Sequence, residues 1–161
     1  MKKSYLMFFV LIFLACLSCK EKINIAKEKE AILKVLQEEG NAYAANDQKR
    51  VFAVFIQDST SLKLEQRSSN QIYTGWDEIK KSYESELNFL ISNNTFWKNP
   101  KNQKENIIIK VVGNSAWVLC DNIWKYEANN AEVKTTNMQI AFFVKINGEW
   151  KFSFNGFIQK P

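Results

Sequence analysis

The chain has 161 residues, 22 Lys and Arg against 17 Asp and Glu for a net charge of +5, three Cys and no His. The missing imidazole excludes the commonest general base, the usual activator of a serine or cysteine nucleophile and the commonest metal ligand. The basic excess is mild and spread along the chain, with no Lys/Arg patch interleaved with aromatics, so no nucleic-acid surface is expected.

Residues 1–18 read as a processing signal. Lys2 and Lys3 give a positive start, and an uninterrupted apolar run follows over 5–17. The run falls short of the roughly 20 residues that a bilayer-spanning helix needs and suits a secretory signal. It ends in Cys16-Leu17-Ser18-Cys19-Lys20-Glu21-Lys22. A small residue followed by Cys and a charged segment resembles a bacterial lipoprotein signal, which implies cleavage after Ser18 and lipid on Cys19. Phe13-Leu14-Ala15-Cys16 is a competing site, and an ordinary cleaved signal or an uncleaved anchor is the plainer alternative. On the lipoprotein reading, residues 19–25 are a tether. Residues 26–161 form one domain of the bacterial cell envelope, periplasmic or surface-exposed and held to the membrane by its lipid. Only Cys120 then remains in the folded part, which excludes an internal disulfide and a thiolate metal cluster.

Residues 26–45 carry a helical pattern, with Ile32, Val35, Leu36, Tyr43 and also Glu39 near one face. Asn46-Asp47 breaks it, and Asp47 is suited to cap a short second helix with Val51, Phe52 and Phe55. Residues 61–66 alternate like a strand. Ser68-Ser69-Asn70 predicts a turn, and 71–74 a short return strand. Thr74 with Asp77 reads as the cap of a third helix, whose Trp76, Ile79, Tyr83, Leu87 and Leu90 recur at helical steps. Lys80, Lys81, Glu84 and Glu86 fall on its remaining surface. Asn93-Asn94 ends it, and Phe96, Trp97 and Pro100 sit in a polar loop.

From there the chain turns β, with strands expected over 107–112, 115–126, 132–146 and 149–158. Gly113-Asn114, Asn129-Asn130 and Asn147-Gly148 supply the turns. Asn-Gly between apolar runs is a strong hairpin signal, because a type I′ turn needs positive φ at both central residues. That register sets Phe143 opposite Phe152, Ala141 opposite Phe154 and Asn122 opposite Asn137. Cys120 then faces Gln139, and Trp124 faces Thr135. One face carries Ala141, Phe143, Trp150, Phe152 and Phe154. The other carries Ile140, Phe142, Val144 and Ile146. A sheet apolar on both faces is covered on both.

Three helices with an early hairpin, then an antiparallel meander, predict an α+β domain. The chain resembles the SnoaL-like and nuclear-transport-factor-2-like superfamily. The resemblance rests on the long first helix ending in Asn46-Asp47, the short helix to Phe55, and Gly75-Trp76-Asp77-Glu78-Ile79. Ala116-Trp117-Val118 and Asn147-Gly148-Glu149-Trp150-Lys151 complete it. It implies a cone: a strongly curved antiparallel sheet whose concave face is closed by the three helices around a pocket. Enzymes of the superfamily use Asp, Tyr or Arg inside the cone. Members with a His on the last strand have Phe154, Asn155, Gly156 and Phe157 there in this chain.

The shared face concentrates Asn122, Asn137 and Gln139 among Trp124, Tyr126 and Phe154. Amides among aromatics suit a pocket for a small, mostly apolar ligand, although such amides also satisfy one another. Tyr43 and Trp97 join that ligand set, Tyr43 through its hydroxyl and Trp97 as an aromatic on a loop. Asp121 is the sharpest candidate acid or base, with Tyr43 second, but the register turns Asp121 away from the amides. A paired or solvated strand-end carboxylate is the plainer reading of Asp121. Cys120 reads as a buried, inert thiol. No phosphate loop or nucleophile elbow is present, and no cofactor or metal is expected.

Three functions follow as expectations. The first is a lipid-anchored domain that binds a small molecule without catalysis and dimerises through the sheet face bearing Trp117, Ile140 and Phe142. The second is an isomerase, dehydratase or hydrolase using Asp121 or Tyr43. The third is a protein-interaction module with a filled core.

Overall fold

The computed structural model describes residues 23–66, 70–93 and 97–160. The signal-like segment and Cys19 lie outside the described residues, as do Ser68 and Ser69 of the expected turn and Phe96. No helix among the described residues is long and apolar enough to cross a membrane.

Local chemistry sets the helix starts. Helix α1 (Ile25–Ala44) begins where the Asn24 side chain accepts the Lys27 N–H at 3.2 Å. Helix α2 (Gln48–Ala53) begins where Asp47 accepts the Arg50 N–H at 3.0 Å. Each side chain satisfies a donor that the first turn leaves open. Strands β1 (Leu62–Glu65) and β2 (Gln71–Thr74) form the early hairpin. Helix α3 (Trp76–Ser92) is capped at Gly75, one residue later than expected. Its φ of 78° suits glycine, and Glu78, three residues on, accepts the Thr74 N–H at 2.8 Å.

Strands β3 (Lys98–Val112), β4 (Ser115–Ala128), β5 (Ala131–Ile146) and β6 (Glu149–Gln159) make the meander. Both two-residue turns take the expected form: φ is 51° and 64° at Asn129 and Asn130, and 51° and 86° at Asn147 and Gly148. β3 is far longer than expected. The polar residues from Lys98 to Gln103, read as loop, pair with β4 along the sheet edge. An edge strand tolerates Pro100, which falls at a register shift between Lys98 and Lys101.

The expected cone is not what forms. The six strands lie in one open sheet of order β2-β1-β6-β5-β4-β3. β1 joins β6 in parallel, so the early hairpin extends the sheet sideways and makes it mixed. β2 and β3 stand at opposite ends and do not pair, so the sheet is not closed. The α+β class and the three helices hold; a curved, closed antiparallel cone does not.

The helices cover one face. Ile32 and Leu36 of α1, Val51 of α2, and Ile79 and Leu87 of α3 are buried against Val118, Ala141, Phe143 and Phe152. Burial of each such side chain is worth about 1.5–3 kcal/mol. The other face leaves Phe142 50 % and Trp117 40 % exposed.

One bulge redirects the end of β6. Phe143 pairs with Phe152, but Phe142 pairs with Phe154, so Ser153 is an extra residue. Ala141 therefore meets Asn155, not Phe154. The inward residues of β6 become Asn155 and Phe157, both buried, while the Phe154 ring packs edge-on against Phe142 at 5.8 Å.

Candidate functional site

Beneath α1 and α3, the covered face of the sheet holds a cavity of about 200 Å³. Helix α1 contributes Glu39 and Tyr43, and α3 contributes Tyr83, Glu86 and Leu90. Trp97, Trp124 and Tyr126 form an aromatic wall; Thr135 and Phe157 complete the lining. Ring centroids lie 5.1 Å apart for Trp97 and Trp124, 4.5 Å for Trp97 and Tyr126, and 5.6 Å for Tyr43 and Trp124. The rings are tilted, which suits edge-to-face packing against each other and against a ligand.

Glu86 is the polar centre of this cavity. Tyr43 Oη donates to its Oε2 at 3.2 Å. Its Oε1 accepts from Lys63 Nζ at 2.5 Å and from Ser82 Oγ at 2.9 Å. Lys63 is fully buried, and its ammonium sits 4.0 Å from the Tyr83 ring centroid. The Tyr83 hydroxyl is driven well above the ordinary phenol value by burial, reinforced by the Glu39 and Glu86 carboxylates. It stays protonated and accepts from Asn155 Nδ2 at 3.3 Å.

Behind the cavity runs a buried polar ladder. Lys104 Nζ donates to Asn122 Oδ1 and Gln139 Oε1, both at 2.7 Å, and pairs with Glu39 at 3.5 Å. Asn122 Nδ2 donates to Asn137 Oδ1 at 3.1 Å, and Gln139 Nε2 to Asn155 Oδ1 at 2.7 Å. Buried amides are thus satisfied by one another and by a lysine.

The sequence-derived candidates divide accordingly. Tyr43, Trp97 and Trp124 come together around the cavity. Asn137 lines a second, more open depression of about 410 Å³ that shares Tyr43, Glu86 and Thr135 with the first. Asn122 and Gln139 lie in the ladder, and Phe154 lies on the opposite face of the sheet. Asp121 also points away from the cavity. It accepts from Asn106 Nδ2 at 2.8 Å and pairs with Lys160. Those contacts, Lys160 first, hold its carboxyl below the usual carboxylate range. Burial lifts the Cys120 thiol to about 11. Among the described residues no group of three or more His, Cys, Asp and Glu could hold a metal ion.

Four residues central to this site were not among the candidates. Glu86 and Glu39 carried a usable signal: Glu86 follows Ser82 and Tyr83 at helical steps, and Glu39 follows Leu36. Lys63 and Lys104 carried none. In β1 the inward residues are Lys63 and Glu65, continuing from buried Ser61 just before it, while Leu62 is 39 % exposed. Apolar alternation in Ser61-Leu62-Lys63-Leu64 suggests the reverse phase, and a one-residue change of phase inverts every side chain. Lys104 lies just ahead of the strand expected over 107–112, among polar residues whose pattern assigns no inward face.

No family model matches this sequence, and no curated protein matches it. Solved structures do. A provisionally named scytalone dehydratase from Novosphingobium aromaticivorans is similar with a TM-score of 0.69 at 20 % identity, over 84 % of this chain and 86 % of that one. A provisionally named dehydratase of the nuclear-transport-factor-2-like family from Streptomyces avermitilis gives 0.70 at 12 % identity, over 84 % and 98 %. A nuclear-transport-factor-2-like protein from Shewanella oneidensis gives 0.60 at 15 % identity, over 81 % and 98 %. Identities this low carry the fold alone, and the chain shares the fold of these nuclear-transport-factor-2-like structures.

Proposed function

We propose that the cavity binds a small, mostly apolar molecule and carries out proton transfer on it, of the dehydratase or isomerase kind. The observation that carries this reading is the Tyr43 hydroxyl hydrogen-bonded to Glu86 within an aromatic cavity. Two of the similar structures bear dehydratase names, which supports the same class of chemistry. In a dehydration, Glu86 would take a proton from the carbon next to a carbonyl. The electron pair forms the C=C bond as the C–O bond breaks, and the departing hydroxyl takes the Tyr43 proton and leaves as water. Glu86 then passes the proton it took to the Tyr43 phenolate, its hydrogen-bond partner, which restores both groups.

The test is turnover of a panel of small β-hydroxy ketones, followed by absorbance of the conjugated product. Y43F should lose turnover and still fold, because only a hydroxyl is removed from a half-buried ring. Equal turnover in wild type and Y43F would reject the assignment. Binding without catalysis is the second reading, favoured by the hold of Lys63 and Ser82 on Glu86. Binding with no turnover of any panel member would select it.

Two further proposals come from the sequence. Cys19 carries lipid and holds the domain at the bacterial envelope; incorporation of a labelled fatty acid, abolished by C19S, tests it. The chain dimerises through the face with exposed Trp117 and Phe142, which sedimentation of W117K against wild type tests.

A further inference from the structure

The aromatic cavity and the polar depression beside it share Tyr43, Glu86 and Thr135 as a common rim. They differ in character. The inner space, about 200 Å³, is walled by Trp97, Trp124 and Tyr126, and is large enough for one substituted ring: an engineered apolar cavity of about 150 Å³ holds benzene. The outer space, about 410 Å³, adds the acidic Glu65 and the polar residues Thr136, Asn137 and Gln159. The two spaces therefore meet at the Tyr43–Glu86 hydrogen bond.

We infer that the ligand is a two-part molecule: a flat aromatic head held among Trp97, Trp124 and Tyr126, and a short hydroxylated or amide tail that crosses the rim to Thr136 and Asn137. This rests on the proposed use of the cavity and names the substrate class for it. An aromatic head fits the tilted rings, which offer both faces and edges. A tail that crosses the rim carries its first carbons past Tyr43 and Glu86, where proton transfer would occur.

The test uses the full chain and two nearly isosteric probes, 3-phenylpropan-1-ol and butylbenzene, titrated against the intrinsic tryptophan fluorescence, to which Trp97 and Trp124 at the cavity contribute. T135V, in which an exposed rim hydroxyl becomes a methyl, is titrated alongside, and far-ultraviolet circular dichroism checks that it folds. The alcohol is expected to bind at least as tightly as the more hydrophobic butylbenzene, and to lose about fivefold in T135V while butylbenzene does not. Butylbenzene binding tenfold or more tightly than the alcohol, with T135V neutral for both, overturns the two-part ligand and leaves the cavity reading standing. No response to either probe up to its solubility overturns both.

Discussion

Replacing Lys104 by Met should cost about 3–5 kcal/mol of folding stability, the range for removing one partner of a buried ion pair. The side chains of Lys104 and Glu39 are 1 % and 4 % exposed, so Glu39 cannot simply turn to water when its cation is lost. Two charge-assisted hydrogen bonds at 2.7 Å go at the same time. Asn122 Oδ1 keeps the Nδ2 of Asn102 at 2.7 Å, but Gln139 Oε1 is left with the weak Cys120 thiol contact at 3.8 Å. Methionine fills nearly the same volume, so the loss reports charge and hydrogen bonding more than a void. Urea unfolding of wild type, K104M, E39Q and the double variant measures it. The double variant should be more stable than K104M by about 2 kcal/mol, because no buried charge is left alone. A K104M loss under about 1 kcal/mol, unchanged by E39Q, would refute the ladder as a coupled unit.

Three other outcomes are expected. Gly40→Ala should destabilise by about 1–3 kcal/mol through overpacking, since a Cβ there would lie 2.1 Å from Asn102 Oδ1 and 2.5 Å from its Cγ. A gain instead, as helix propensity alone would give, would mean that α1 and β3 are not so closely packed. Glu28 ties α1 to the last hairpin, accepting from Lys145 Nζ and Trp150 Nε1 at 2.8 Å, and Lys145 first and then Trp150 depress its pKa. Its contribution is present above the unfolded carboxylate range and is lost as pH falls through the lower folded value. The melting-temperature gap between wild type and E28Q should therefore be widest at neutral pH and close in acid; a gap independent of pH would contradict this. Cys120, with its thiol lifted to about 11, should resist iodoacetamide at pH 8 until the chain is unfolded, read by mass spectrometry of the Cys120 peptide; ready alkylation in the native protein would place it at the surface.

Periodicity and turn chemistry made most elements legible. Asn129-Asn130 and Asn147-Gly148 fixed the β4–β5 register throughout and the β5–β6 register as far as Phe152. Past that point one inserted residue, Ser153, moved Phe154 to the other face and brought Asn155 and Phe157 in. No residue type there announces a bulge. The cone was carried over from a family likeness and had no warrant in the strands themselves. The parallel pairing of β1 with β6 is non-local, and nothing in four residues of β1 encodes its partner. At the site, Tyr43 was readable as a polar-tipped ring on the apolar face of α1, Trp124 through the β4–β5 register, and Trp97 as a large ring in a polar stretch. Lys63 and Lys104 were not, because a buried lysine is stable only through partners distant in sequence: Glu86 for one, Glu39 and two amides for the other.

The central claim, that Tyr43 and Glu86 transfer protons to a ligand in the aromatic cavity, is tested most directly by hydrogen exchange. The α-protons of a small aryl ketone are followed by NMR in D₂O with wild type, Y43F, E86Q and D121N. Wild type and D121N should accelerate the exchange alike, and Y43F and E86Q should lose about 100-fold or more of that acceleration, the usual scale for a positioned acid or base. Acceleration that survives in Y43F and E86Q, or that disappears in D121N, would contradict the account and return the chemistry to the far side of the sheet.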